Sequence, residues 1–101
     1  MLINNVDAKI ICVDIDGTLL YSKLVDDKYV ITGANADLIN QLNQGHDEGC
    51  IIILHTGRHW KHLIATKQQL KKVGVKYDTV VFGKPPADVY IDDKAIRPDE
   101  L

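Results

Sequence analysis

Two unbroken, β-branched apolar runs constrain this chain more than any other feature. Residues 9–14 read Lys-Ile-Ile-Cys-Val-Asp, and residues 50–55 read Cys-Ile-Ile-Ile-Leu-His. A half-exposed strand alternates apolar and polar side chains, so continuous runs of this length predict strands covered on both faces, as in a parallel sheet. Two shorter runs, 79–82 (Thr-Val-Val-Phe) and 88–91 (Asp-Val-Tyr-Ile), predict a third and a fourth strand. Between the first two strands Ala34, Leu38, Ile39 and Leu42 recur at helical spacing, with Gly45 as the C-terminal stop. Between the second and third, Trp60, Leu63, Ile64 and Leu70 share one helical face. Lys61, Lys67, Lys71 and Lys72 form a solvated opposite face, and Gly74 closes the helix. This alternation predicts an α/β fold: a minimal Rossmann-like open parallel sheet of about four strands with helices on both faces. Residues 19–32 interrupt it. There Asp26-Asp27-Lys28 is a turn signal between short apolar stretches, so a hairpin or flap is expected after the first strand.

The length of 101 residues suits one domain, residues 1–101, with one core. Hydrophobic residues at 46% and charged residues at 26% exclude a disordered chain. No apolar run approaches the roughly 18 residues of a membrane helix. Asn4, Asn5 and Asp7 stand where a signal peptide would be apolar, so neither a membrane span nor a leader is expected. A net charge of −2 supplies no strong field for nucleic acid or a membrane surface. Cys12 and Cys50 lie inside the apolar runs and read as buried small hydrophobes without a disulfide, in keeping with the cytoplasm.

Ligands of open α/β sheets bind beyond the carboxyl ends of the strands. Here the four predicted ends carry Asp14-Ile15-Asp16-Gly17-Thr18, His55-Thr56-Gly57-Arg58, Gly83-Lys84-Pro85 and Asp92-Asp93-Lys94. Asp14 and Asp16 with Asp92 and Asp93 would concentrate negative charge in one cleft. A hard divalent cation with oxygen ligands, Mg²⁺ above all, relieves that repulsion and attracts phosphate. Lys84 adds a fixed positive charge, and Thr56 and nearby backbone N–H groups add donors. The set suits the binding and transfer of a phosphoryl group. Gly17, Thr18, Gly57 and Arg58 complete the expected substrate-binding set, Arg58 by gripping a second acidic group or, failing that, as a structural ion pair. Asp-x-Asp-Gly-Thr arises by chance in about one chain in a thousand of this length, from average residue frequencies.

These residues, Asp14-Ile15-Asp16-Gly17-Thr18-Leu19, Thr56-Gly57-Arg58, Lys84 and Asp92-Asp93, each after a predicted strand, resemble in their order the four motifs of the haloacid dehalogenase-like superfamily. The resemblance covers residues 9–94. It implies that Asp14 is a nucleophile forming an aspartyl-phosphate and that Asp16 is the general acid and then the base. Thr56 would bond the phosphoryl oxygens, and Lys84 would neutralise Asp14 and the phosphoryl group. Asp14, the backbone carbonyl of Asp16 and Asp92 would ligate Mg²⁺, with Asp93 orienting a metal-bound water or Lys84. An Asp at the second motif position suits phosphatases. Residues 82–95 further resemble short members associated with surface-polysaccharide and sugar-phosphate metabolism. Neither interval where such proteins insert a cap has room for one. The expected enzyme is therefore a capless, Mg²⁺-dependent phosphomonoesterase acting on a phosphorylated small molecule, with an open site that a second copy of the chain could cover.

His55, His59 and His62 surround Thr56, but a strand end and a helix start do not make a zinc site; His59 and His62 suit the mouth of the cleft. Tyr21 and Lys23 of the flap are candidates for touching the leaving group. Two rival readings exist: a non-catalytic phosphate- or metal-binding module on the same fold, and a receiver-type signalling domain. The order of the motifs disfavours the second, since the middle strand ends in Thr56 where a receiver carries its phospho-accepting Asp.

Overall fold

The structure, a computed structural model, describes residues 1–3 and 6–101. In chain order its elements are β1 (Leu2–Ile3), β2 (Val6–Asp7), β3 (Ile10–Asp14), β4 (Leu20–Val25), β5 (Lys28–Ala34), α1 (Ala36–Asp47), β6 (Ile51–Thr56), α2 (Leu63–Val73) and β7 (Thr79–Phe82). Short 3₁₀ turns span Trp60–His62 and Pro98–Glu100. β3, β6 and β7 form a parallel sheet in the order β3-β6-β7. β1 pairs with β2 and β4 with β5, both antiparallel. The α/β class and the parallel sheet agree with the sequence reading.

The hairpin after the first strand is also as expected. β4 and β5 are joined by Asp26 and Asp27 at φ 50° and 60°. Two left-handed central residues make the turn whose twist matches paired strands, and Asp tolerates that conformation better than most side chains. The helix caps are local as well. Asn35 accepts a hydrogen bond from the Leu38 N–H at the start of α1. Gly74, at φ 78°, ends α2 with its N–H on the Leu70 and Lys71 carbonyls.

Several expectations are corrected. The sheet has three strands, not about four. Residues 88–91 form none, and Ile91 is 96% exposed. This run follows Pro85-Pro86, which offer no N–H to a ladder, and it pairs with neither the free edge of β3 nor that of β7. The helices cover one face, not both. In the strand register Ile11, Val13, Ile52, Leu54 and Val80 share a face, and Leu38, Ile39 and Leu42 of α1 and Leu70 of α2 complete the core there. Both crossovers step the same way, β3 to β6 to β7, so right-handed connections place both helices on one side. The opposite face leaves Ile10, Cys12, Ile51 and Val81 exposed. Cys50 is buried as expected, Cys12 is not, and both are free thiols.

α1 runs through Gly45 to Asp47. Gly45 is buried, and a Cβ there would meet the Met1 sulfur at 3.2 Å, so this glycine answers to packing; the turn out of the helix comes at Gly49, φ 97°. Of the expected helical face Leu70 is buried while Trp60, Leu63 and Ile64 are exposed, and α2 buries Thr66 with Leu70. No helix among the described residues is long and apolar enough to cross a membrane.

Candidate active site

The site grows from the end of β3. Asp14 closes the strand, and the Ile15 N–H continues the parallel ladder to the His55 carbonyl at 2.9 Å. Ile15 is fully buried, and its carbonyl accepts the Leu19 and Leu20 N–H groups at 3.0 and 2.8 Å. The chain therefore reverses tightly, with Gly17 at φ 81°. Asp14 and Asp16, two residues apart around a buried Ile15, face the same cleft.

Each carboxylate has a different cation. Lys84 Nζ lies 3.5 Å from Asp14 Oδ2, both side chains partly buried. Gly83 at φ 84° makes the turn after β7, and the Lys84 N–H donates to the Thr56 carbonyl at 2.9 Å, which ties this loop to the end of β6. Gly57 is the close approach here: a Cβ would stand 3.2 Å from the Lys84 carbonyl oxygen. Asp16 is held by Arg58. Nη2 donates to Oδ1 at 2.8 Å, and Nε donates to Oδ1 and Oδ2 at 3.1 and 3.3 Å. The Thr56 hydroxyl donates to Oδ2 at 2.7 Å, and the Ser22 hydroxyl to Oδ1 at 3.4 Å.

Arg58 is 1% exposed. A buried guanidinium requires partners for its N–H groups. Nη1 donates to the Thr66 hydroxyl at 3.1 Å and to Gln69 Oε1 at 2.7 Å, and the Tyr29 ring covers it at 4.1 Å. Thr66 and Gln69 are three apart on α2, hence on one face. Across the mouth, Lys84 Nζ sits 4.0 Å from the Tyr90 ring centre, and the Tyr90 hydroxyl donates to the Pro85 carbonyl. The resulting cleft, about 260 Å³, has Asp14, Asp16, Arg58 and Lys84 at its base and Ser22, Tyr29, Pro85, Pro86 and Tyr90 along its walls.

The expected residues divide into three groups. Asp14, Asp16, Gly57, Arg58 and Lys84 line the cleft. Thr56 is buried behind it, its hydroxyl occupied by Asp16 and by the Arg58 N–H at 3.1 Å, so it does not face a phosphoryl group. Arg58 is the structural ion pair and not a free grip for substrate. The Gly17 N–H donates to the Leu20 carbonyl at 2.8 Å and the Thr18 N–H to Ile15 at 3.4 Å, so both serve the turn and neither lines the cleft. Asp92 and Asp93 stand outside, on the exposed stretch that forms no fourth strand; Asp92 accepts the Lys94 N–H instead. In the flap, Ser22 and Tyr29 reach the cleft in place of Tyr21 and Lys23. Leu20 is buried and Ser22 is two residues on, a parity that the strand period makes readable. Gln69 and Thr66 carried no signal beyond helix-face spacing.

As arranged, part of the Mg²⁺ set expected from the sequence is together: Asp14 and the backbone carbonyl of Asp16 stand at the end of β3, while Asp92 and Asp93 do not join them. Among the described residues no three His, Cys, Asp or Glu side chains converge. Asp14 faces Lys84, the Asp16 side-chain oxygens are taken by Arg58, Thr56 and Ser22, which leaves its backbone carbonyl as the expected ligand there, and Asp92 and Asp93 lie elsewhere. The histidines are dispersed too. His59 Nδ1 accepts the Lys61 N–H at 3.1 Å, and His62 packs edge-on against Tyr29 at 5.1 Å. His55 pairs with Asp14 across the strands; burial holds its pKa below the ordinary value, and the nearby Lys84 charge adds to this.

Comparison with known proteins agrees with the fold and with the family resemblance. Residues 11–83 match the family of haloacid dehalogenase-like hydrolases. The chain is similar to a crystal structure of a structural-genomics target from Vibrio cholerae, at 31% identity and a TM-score of 0.74, over 91% of this chain and 85% of that one. No curated protein matches. The matched segment contains both cleft aspartates, Arg58 and the three-stranded sheet from Ile11 on: the chain belongs to the haloacid dehalogenase-like hydrolases.

Proposed function

We propose that this chain hydrolyses phosphomonoesters through an aspartyl-phosphate on Asp14. One observation carries the reading: at the carboxyl end of a parallel sheet, the Asp14 carboxylate opens into a cleft beside the Lys84 ammonium, with Asp16 two residues away. An Asp14 oxygen attacks phosphorus, and the bond to the leaving oxygen breaks. Lys84 balances the charge carried by the phosphoryl oxygens. Water then attacks phosphorus, the bond to Asp14 breaks with its electrons returning to the carboxylate, and Asp16 accepts the water's proton. Either proton transfer at Asp16, to a poor leaving group or from the water, uses an oxygen that Arg58, Thr56 or Ser22 bonds, so one of those bonds gives way to it. An aryl oxide needs only the second of these transfers.

A sugar phosphate or similar phosphorylated metabolite suits the walls, where Tyr29, Tyr90, Pro85 and Pro86 offer apolar surface to a ring. The net charge of −2 favours a small substrate over nucleic acid or a membrane surface. The cleft works without a cap in this reading, and a second copy could cover it. Two free thiols go with the cytoplasm.

The test is hydrolysis of an aryl phosphate by the wild type beside Asp14→Asn. Turnover by the wild type that the variant loses is expected; equal turnover by both would overturn the covalent mechanism. The second reading, a phosphate-binding module without turnover, is favoured by the full occupancy of Asp16. It predicts that inorganic phosphate raises Tm while no ester is hydrolysed.

A further inference from the structure

One amide joins the hairpin to the site. Gln69 Oε1 accepts from Arg58 Nη1 at 2.7 Å, while its Nε2 donates to the Tyr29 carbonyl at 2.7 Å. The Tyr29 ring in turn lies 4.1 Å from the same guanidinium. Arg58 therefore sits between Asp16 on one side and a helix–hairpin clamp on the other. Its planar fork binds a carboxylate in a fixed orientation, so the setting of the guanidinium sets the direction of the Asp16 oxygens. The hairpin tip is anchored beside the same helix, where Lys61 Nζ donates to Asp27 at 2.8 Å.

We propose that Gln69 and Tyr29 are positioning residues: through Arg58 they hold the Asp16 carboxylate where it takes the proton of the water that attacks the aspartyl-phosphate. This rests on the hydrolase reading above. In that step the water oxygen bonds to phosphorus, the phosphorus–Asp14 bond breaks, and the proton passes to Asp16 and then to solvent. A misdirected Asp16 slows this second step and leaves the first, in which an aryl oxide departs unprotonated, almost untouched.

The experiment is aryl phosphate kinetics on Gln69→Met, which keeps the bulk and removes both hydrogen bonds. A misplacement of about 1 Å costs about 100-fold. The expected result is therefore kcat lowered about 10- to 100-fold, KM within about twofold, and a pre-steady-state burst of aryl oxide that the wild type lacks. Gln69→Glu keeps an acceptor for Nη1 and should recover part of kcat. Arg58 and Arg97 are the chain's two arginines, so a slowly exchanging Arg58 Nε–H is readable by NMR near neutral pH. It should broaden in Gln69→Met and in Tyr29→Leu. Unchanged kcat in Gln69→Met, or a fall in kcat without a burst, overturns the proposal. If the wild type hydrolyses nothing, the hydrolase reading fails by itself. In that case an Nε–H signal unmoved in both variants overturns the positioning as well, and a broadened one supports it.

Discussion

Arg58 Nη2 stands 2.8 Å from Asp16 Oδ1, on a guanidinium shut off from solvent by Tyr29 and α2. Removing one partner of a buried pair leaves the other charge without compensation. Arg58→Met should cost about 3 kcal/mol in urea denaturation. The double variant Arg58→Met/Asp16→Asn should recover part of that loss. A cost below about 1 kcal/mol for Arg58→Met would mean that the pair behaves as a surface bridge.

Lys84 is the cation of Asp14. Lys84→Met should lower kcat/KM for an aryl phosphate about 100-fold, the scale of losing one preorganised charge at a transferring group. It should also weaken inorganic phosphate measured as a competitive inhibitor. Retained inhibition alongside lost turnover would place Lys84 in the transition state alone.

The pKa of His55 lies below its ordinary value of 6.5, first from burial and then from Lys84. The unfolded chain then binds the proton more readily than the folded one. Stability contributed by neutral His55 is complete above about pH 6.5 and falls as the pH drops from there toward the lower folded value. His55→Gln should flatten this slope, and an NMR titration of the ring should give a midpoint below 6.5 in the wild type. In Lys84→Met that midpoint should rise.

Besides the backbone carbonyl of Asp16, Mg²⁺ finds one carboxylate with a free oxygen in the cleft, Asp14, and that group already has a cation beside it. Stabilisation by a ligand follows RT ln(1 + [L]/Kd), and a site of one carboxylate is a weak one. Mg²⁺ alone, at millimolar concentration, should move Tm by less than about 1 °C. A larger rise in the absence of phosphate would mean that further carboxylates, Asp92 or Asp93 first, join Asp14 in solution.

The sheet is covered on one side, and adjacent residues of β6 test this directly. Ile52 is 0% exposed and Ile51 is 46% exposed. Ile52→Ala should cost about 3–4 kcal/mol and Ile51→Ala less than about 1 kcal/mol. Equal costs would show that something covers the Ile51 face in solution.

What could be read from the sequence was local or periodic. Three strands, the hairpin at Asp26-Asp27 and the stop at Gly74 each follow from residues within a few positions of one another. Asp14 and Lys84 were legible because strand ends in a parallel sheet share an edge. Coverage was not legible. Ile10, Ile11, Ile51 and Ile52 look alike in a run, and only the direction of successive crossovers decides which of them a helix will bury. The run at 88–91 has the composition of a strand, but composition does not say whether an edge accepts it. Which of the two roles open to Arg58 holds was not legible for a similar reason: its partners, Asp16, Thr66, Gln69 and Tyr29, converge from three elements, and a residue's commitment inward is a property of that convergence.

Gly57 has a bearing on the chemistry that its lack of a side chain conceals. With the Lys84 carbonyl 3.2 Å from where a Cβ would stand, even an alanine would have to wedge the end of β6 from the loop after β7. That loop carries the ammonium facing Asp14, so one added methyl group on the cleft lining would reach the reaction as a loosened charge pair. Tolerance to substitution at residue 57 is thus governed by the spacing of two backbones, 27 positions apart in the chain (84 − 57) and joined by the Lys84 N–H on the Thr56 carbonyl.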